Sequence, residues 1–144
     1  MVVDNSNVSN ETQSVIYNIL SSDSTLTALT TNIFDGNPER VVREHGFPMV
    51  IINSPEYETR LLTMTKWENN IICGLEVYSK QESNVRRVFD AMVNAIKNGL
   101  GELHAGGLWQ PRFTGTSLLK TDNPSDGGTL YILSTTLELY DMSA

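Results

Sequence analysis

The positions of hydrophobic and polar residues predict two long helices, and the first lies near the start of the chain. Between residues 11 and 22 the apolar side chains are spaced to share one face of a helix, with Ser9 or Asn10 available as the cap. This stripe consists of Val15, Ile16, Ile19 and Leu20. A shorter apolar group ends at the turn 35–38 and predicts one or two helical turns that lead into a loop. It consists of Leu26, Leu29, Ile33 and Phe34.

The second long helix has the clearer pattern. Its apolar residues are three or four positions apart: Val85, Val88, Phe89, Met92, Ile96 and Leu100. Ser79 and Glu82 have the spacing of a capping box, so we expect the helix to begin there. We expect it to end at Gly99 or Gly101, because glycine commonly follows the last helical turn.

Period-two alternation and β-branched residues predict strands in the rest of the chain. The extended segments are residues 47–53, 57–64, 67–80, 111–120 and 129–141. The first is apolar on both faces, as in a covered strand with Pro48 at its entrance, and the second has the looser pattern of an edge strand. The inward side of the third consists of Ile71, Cys73, Leu75 and Val77. Residues 103–110 and 121–128 are predicted to be loops.

The order helix, strands, helix, strands predicts an α+β fold. Strands joined by short turns pair antiparallel, so we expect a mostly antiparallel β-sheet with both long helices packed on one face. The length of 144 residues, with 40% hydrophobic and 19% charged residues, fits one domain over residues 1–144. Its polar start predicts a flexible tail at residues 1–9.

The charge distribution argues against binding to nucleic acid, and the pattern of apolar residues argues against insertion into a membrane. The net charge is -7, and no Lys or Arg precedes Arg40 or follows Lys120. Nonspecific binding to phosphates needs clustered basic residues, which both ends of the chain lack. No run reaches the about 18 apolar residues of a membrane span, and the first residues do not form a secretory signal. We therefore expect neither membrane insertion nor export.

Few residues could support catalysis or hold a cofactor. The two histidines, His45 and His104, have no nucleophile motif around them, and we interpret both as exposed loop residues. Cys73 is at an inward strand position, where a thiol acts as a small hydrophobic group. Asp122 and Asp126 suggest a calcium loop, but their spacing does not match an EF-hand. We therefore predict no catalytic, metal or cofactor site, and no enzyme.

The two tryptophans and an arginine pair are better candidates for contacts. Trp67 and Trp109 lie beside polar residues at strand starts or loops, where at least one can anchor a partner rather than fill the core. Arg86 and Arg87 lie on the second long helix. Glu82 is close enough to pair with them, which favours a solvated or subunit-facing surface over phosphate binding.

Several segments together resemble a known family. They are the Asp35-Gly36 turn, the strand end Leu75-Glu76-Val77-Tyr78, the helix from Val85 to Leu100 and the strand end Leu137-Glu138-Leu139-Tyr140. With the first helix, this order and size resemble the tail terminator or head-tail joining proteins of long-tailed bacteriophages over nearly the whole chain. The Glu-Val-Tyr-Ser-Lys passage that leads from a strand directly into a helix is similar to the family's central passage.

The resemblance implies a structural role in a virion. Members of that family form rings, commonly hexameric, that cap a completed tail tube and dock the head's connector, and they are not enzymes. The implied partners are further copies of the chain, the tail tube protein, the head-tail connector (stopper) protein and double-stranded DNA that passes through the lumen without specific binding. The implied location is the tail or neck of a virion assembled in the host cytoplasm. On this hypothesis the candidate interface residues are Arg40, Arg43, Trp67, Arg86, Arg87, Trp109 and Arg112.

Two other interpretations remain open at the level of sequence. The chain could be a small monomeric peptide- or ligand-binding module, with residues 101–107 and Trp109 as the rim of a pocket. A third hypothesis is a hydrolase that uses His104. A ring subunit is expected to self-associate, a binding module to stay monomeric, and a hydrolase to lose activity on His104→Ala without loss of the fold.

Overall fold

A computed structural model describes residues 5–36, 46–64, 66–122 and 127–143 of the chain. The elements in these ranges are α1 (Asn5–Ser22), α2 (Ser24–Leu29), β1 (Ile33–Asp35), β2 (Met49–Ile52), β3 (Glu56–Leu61), β4 (Trp67–Ser79), α3 (Glu82–Asn98), α4 (Leu100–Ala105), β5 (Leu108–Asp122) and β6 (Thr129–Ser143). The predicted α+β class is confirmed. Within the described ranges, α1 and α3 are the two long helices, with 18 and 17 residues.

The described strands form one sheet in the order β1-β2-β4-β6-β5. Strand β4 is long enough to pair with two strands along one side: β3 pairs with its first half and β2 with its last residues. Strand β6 pairs with β4 along the other side, and β5 follows at the edge. These pairs are antiparallel, as predicted, whereas β1 and β2 are parallel. The prediction that Ile33 and Phe34 belong to helical turns is wrong: α2 ends at Leu29, and both residues lie in β1, which is too short to show a strand period.

The main core lies between the helices and one face of the sheet. The four predicted inward positions of β4, Ile71, Cys73, Leu75 and Val77, are fully buried. The core residues of α3 are Val85, Val88, Phe89, Ala91, Met92, Ala95 and Ile96. Residues of α1, α2, α4 and β6 belong to the same cluster. The prediction that both long helices pack on one face is therefore confirmed.

Both long helices begin differently from the prediction. Helix α1 begins at Asn5, so the predicted cap at Ser9 or Asn10 is wrong. The capping box before α3 is also wrong, because Ser79 is held in β4 by its pairing with Tyr131. The N-cap of α3 is Gln81, which makes no side-chain capping bond.

The segment predicted as a glycine-rich loop contains a helix. Residues 103–110 were expected to be irregular, yet α4 ends at Ala105 and β5 begins at Leu108. Leu103 is fully buried in the main core. Burial of a leucine stabilises by about 1.5–3 kcal/mol, which outweighs the cost of about 1 kcal/mol for a glycine inside a helix. Leu100 starts α4 and is 41% exposed, so it is not the last buried position of α3.

Some predictions fall on residues outside the described ranges. These residues are 1–4, 37–45, 65, 123–126 and 144. They include His45, most of the turn after β1, part of the predicted loop 121–128 and the start of the predicted tail. Among the residues that are described, no helix combines the length and apolar character needed to cross a bilayer.

Candidate interaction surfaces

The residues with possible catalytic chemistry are held in structural contacts. His104 lies in α4 rather than in a loop, and its ring stacks on Trp109 with 4.3 Å between the ring centroids. The thiol of Cys73 donates a long hydrogen bond to the Asn53 carbonyl oxygen at 3.5 Å, and burial raises the pKa of the thiol to about 12. This thiol stays protonated and unreactive at neutral pH. Within the described ranges, no group of three or more His, Cys, Asp or Glu residues is placed to hold a metal ion.

The structure places the two tryptophans at the same end of the sheet. Trp67 is the first residue of β4 and pairs with Ser143 of β6, while Trp109 in β5 pairs with Tyr140 of β6. Each indole is 38% exposed. Both are therefore available for contacts, although Trp109 is also packed on one side by His104.

Of the predicted interface arginines that the structure describes, Arg86 and Arg87 lie on α3 and Arg112 lies on β5. Arg86 and Arg87 are exposed on α3, and Arg86 forms the expected i,i+4 ion pair with Glu82 at 3.2 Å. Arg112 lies in β5 and binds Glu138 of β6 through Nε at 3.0 Å and Nη2 at 2.6 Å. Arg40 and Arg43 lie outside the described residues.

The hairpin between β3 and β4 exposes a group of apolar side chains. We call Leu61–Met64, Lys66 and Trp67 the hairpin tip. The exposed fractions of its apolar side chains are Leu61 51%, Leu62 42%, Met64 97% and Trp67 38%. Of these, sequence reasoning identified only Trp67. The signal for the others was an apolar trio, Leu61, Leu62 and Met64, in a segment whose alternation was otherwise that of an exposed strand.

Backbone hydrogen bonds hold this tip in a defined shape. The amides of Leu62 and Thr63 donate to the Lys66 carbonyl oxygen at 2.8 and 3.3 Å. The Lys66 amide donates to Thr63 Oγ1 at 3.1 Å, and Leu61 pairs directly with Trp67 across the hairpin. These contacts fix the backbone of Leu61, Leu62, Thr63, Lys66 and Trp67, which lowers the entropy cost of docking these residues.

The face of the sheet opposite the helices is polar and acidic over β3, β4 up to Glu76, the second half of β6 and the start of β5, whereas its other end carries a second apolar cluster of Met49, Ile51, Tyr78 and Leu130. We call the polar region the open sheet face. Its side chains include Glu56, Glu58, Arg60, Glu68, Asn70, Ile72, Glu76, Arg112, Thr136, Glu138 and Tyr140. Arg60 pairs with Glu68 at 2.8 Å, as Arg112 does with Glu138. Both arginines on this face are thus paired with carboxylates, and Glu56, Glu58 and Glu76 add further negative charge.

A small cavity on the open sheet face contains an unsatisfied acceptor. It has a volume of 160 Å³ and is lined by Glu58, Arg60, Glu68, Asn70 and Tyr140. Asn70 Oδ1 is buried there and, within the part of the chain that the structure describes, has no hydrogen-bond partner. A buried acceptor without a donor costs about 1–3 kcal/mol.

Strand β5 forms an open edge of the sheet. Of the described strands, β6 is the one that pairs with it. Residues 116–122 are exposed, including Leu118 and Leu119. An exposed edge strand presents unpaired amide and carbonyl groups that can pair with another chain, and globular proteins usually blunt such edges. We call this surface the β5 edge.

A groove crosses the helical layer between α1 and the junction of α3 with α4. We call it the helix groove. It has a volume of 490 Å³, and its apolar surface comes mainly from Val15, Ile19, Ala95, Ala105, Gly99 and Gly106. Asp23 and Glu102 are the charged residues among the described ones that line it. The sequence predicted a pocket rim formed by residues 101–107 and Trp109. Glu102, Ala105 and Gly106 do line the groove, but Trp109 instead stacks on His104.

Comparison with known proteins gives a likeness in fold. No described protein family and no curated protein matches the sequence. The structure is similar to a chain in the solved virion of a native gene transfer agent (GTA) particle, with a TM-score of 0.53 and 14% sequence identity. The match covers 89% of this chain and 92% of that chain. At this identity the likeness establishes a shared fold over nearly the whole domain.

Proposed function

We propose that the chain is a structural virion protein that forms a ring at the head-proximal end of a phage tail. In this role it caps the tail tube and joins it to the head connector. The observation that carries the proposal is the shared fold, over 89% of the chain, with a protein of the GTA virion. The element order that resembles tail terminators supports it from the sequence.

The surfaces of the chain suit assembly into a ring. A closed ring needs two different surfaces on each subunit, because each copy contacts its neighbours head to tail. The hairpin tip lies on the side of β4 that pairs with β2 and β3, whereas the β5 edge lies beyond β6 on the other side. One side offers exposed apolar groups and the other the outer edge of β5, with which none of the described strands pairs, so the chain has unlike surfaces on its two sides.

The open sheet face suits a wall around DNA that must slide. Carboxylates repel the phosphate backbone, and a surface that neutralises few phosphates gains little from counterion release. The arginines of this face, Arg60 and Arg112, are paired with glutamates and so are less available to phosphate. We therefore propose that this face lines the lumen, while Arg86 and Arg87 on α3 contact a neighbouring subunit or the connector.

The absence of an enzymatic role is part of the same proposal. Cys73 is buried and protonated, and His104 is stacked on an indole, so neither is poised as a nucleophile or base. These contacts favour the hypothesis of a structural protein over that of a hydrolase.

Assembly and its effect on DNA can be tested with the purified full chain. Negative-stain imaging, with and without tail tubes, is expected to show rings alone or rings at tube ends. The paired variant Glu56→Lys/Glu58→Lys is expected to gain salt-sensitive binding to double-stranded DNA, whereas the parent is expected not to bind it. Glu11→Lys/Glu102→Lys, at two exposed positions of the helical layer, is the matched control with the same change in charge and is expected to gain much less. A protein that stays monomeric and binds neither tail tubes nor connectors would contradict the proposed ring.

The helix groove supports one alternative. A groove of 490 Å³ with an apolar floor could receive a peptide in a monomeric binding module. The two functions differ in oligomeric state: a binding module remains monomeric at all concentrations and in the presence of tail tubes.

A further inference from the structure

We propose that the hairpin tip of one copy docks into the helix groove of the next copy. This inference rests on the proposed ring and names the contact that closes it. It assigns a second copy of this chain, rather than a foreign peptide, as the occupant of the groove.

The hairpin tip has the properties of a contact anchor. Met64 is 97% exposed, and Leu61, Leu62 and Trp67 of the same hairpin add further exposed apolar surface. A concentrated apolar group of this kind on a soluble domain marks an interaction site. Hydrogen bonds join residues 62–63 to Lys66, so docking requires little further ordering of these residues.

The floor of the helix groove is formed by small residues. Ala95, Gly99, Ala105 and Gly106 present short side chains or none to the groove. At the two glycines this lets α1 approach closely, since an added Cβ would lie 2.6 Å from Ile19 Cγ2 or 2.8 Å from Val15 Cγ2. Methionine is flexible and polarisable and adapts to irregular apolar clefts. Met64, with Leu62 beside it, is therefore suited to this floor.

The charges of the two surfaces are complementary. Lys66 is the charged residue among the described residues of the hairpin tip. Asp23 and Glu102 line the helix groove, and Glu11 lines the adjacent depression beside Val15. Opposite charges at the rim of an interface steer association and select register. Contact between two hairpin tips would instead bring two lysines together.

The positions of the two surfaces favour a head-to-tail contact. The hairpin tip emerges on the side of β4 where β2 and β3 pair. The α4 wall of the groove leads directly into β5 and contacts it at the other edge of the sheet. The α1 wall contacts β1, β2 and β3, so the groove extends across the helical layer between the two sides of the sheet. A projection and a recess that are separate surfaces of one chain can repeat from copy to copy, which is how a ring closes.

Cysteine cross-linking tests the contact even if association is weak. Met64→Cys and Ala105→Cys are prepared as separate, differently tagged proteins, and the buried Cys73 serves as a silent background. Mild oxidation of the mixture is expected to give mainly the heterologous M64C–A105C dimer. Little heterologous product, or a predominance of M64C homodimers, would overturn the proposal.

Charge exchange provides the second arm of the experiment. Lys66→Glu and Glu102→Lys are each expected to raise the concentration needed for assembly about tenfold, and their combination is expected to recover most of the loss. Lys80→Glu, just beyond the opposite end of β4, is the control and is expected to change assembly little. Equal effects of Lys66→Glu and Lys80→Glu, or no recovery in the double variant, would overturn the proposed register.

The two arms separate failure of this contact from failure of the ring. Assembled rings without heterologous cross-links contradict the contact and leave the ring standing. Heterologous cross-links in a protein that never forms closed rings support the contact and contradict the ring. A monomer that gives no cross-link contradicts both.

Discussion

Gly99, which lies between α3 and α4, gives the sharpest test of how α1 packs on these two helices. Gly99 was predicted to be a helix terminator, but the structure gives it a second role as the point where α1 approaches the junction of α3 and α4. A Cβ at Gly99 would lie 2.6 Å from Ile19 Cγ2, 3.1 Å from Ile19 Cγ1 and 3.2 Å from the Ala95 carbonyl oxygen. Gly99→Ala therefore forces α1 or the junction to move.

The expected cost follows from the surroundings of Ile19. This side chain is 6% exposed and β-branched, so it has little freedom to rotate away. Overpacking a core position costs about 1–3 kcal/mol, and alanine in place of glycine returns about 0.5–1 kcal/mol through lower chain entropy. We expect Gly99→Ala to lower the free energy of unfolding by about 1–2 kcal/mol.

Gly101→Ala is the matched control two residues along the chain. A Cβ at Gly101 meets no atom within 4 Å, and the residue is exposed in α4. This variant is expected to raise the free energy of unfolding by about 0.5 kcal/mol, since alanine is the better helix former. Urea unfolding followed by far-UV circular dichroism measures both changes, and the two glycines should shift the midpoint in opposite directions.

A double-mutant cycle identifies the clash itself. In an Ile19→Ala background the Cβ at position 99 no longer meets the isoleucine methyl groups, so Gly99→Ala should lose most of its cost. If Gly99→Ala is as stabilising as Gly101→Ala, or costs the same with and without Ile19, the close packing of α1 on the junction is refuted.

The remaining predictions concern titration and ion pairs. Because burial raises the pKa of Cys73 from 9.0 to about 12, the unfolded chain releases this proton first, and stability should fall as pH rises above 9. Urea unfolding at several pH values measures how the free energy of unfolding depends on pH. Above pH 9, Cys73→Ala should lose a decrease of about 1.4 kcal/mol per pH unit. The same pH dependence in the variant and the parent would contradict the raised pKa of Cys73. Arg60→Ala should cost about 1–2 kcal/mol, because the Glu68 side chain is only 11% exposed and loses its partner. Arg86→Ala removes an exposed ion pair and should lower the free energy of unfolding by less than about 0.5 kcal/mol. Equal losses for Arg60→Ala and Arg86→Ala would contradict the larger contribution of the partly buried pair.

The sequence predicted the elements whose pattern is long and regular. The stripe of α3 and the alternation of β4 extend over several periods, and each buries its predicted side. Short elements gave no such signal. Strand β1 has three residues and depends on β2 for its pairing, while α4 is held by burial of Leu103 against a local preference for loop. The secondary structure of β1 and α4 is therefore determined by contacts with residues distant in the sequence.

The candidate surfaces were only partly predictable for the same reason. Trp67 stood out as an unusual residue beside polar neighbours, but its exposed companions, such as Met64, became evident once β3 and β4 were paired. The helix groove depends on the approach of α1 to Gly99 and Gly106, which are more than 75 residues away from it in the chain. A single sequence carries no direct record of such long-range proximity.

The central claim is that this chain assembles into a ring, and its most direct test is the mass of the purified protein across concentration, alone and mixed with tail tubes. Mass photometry or native mass spectrometry should detect a closed multiple of the 16.0 kDa chain, with six copies as the expected number. A particle that stays at 16.0 kDa at every concentration and does not bind tube ends would contradict the account.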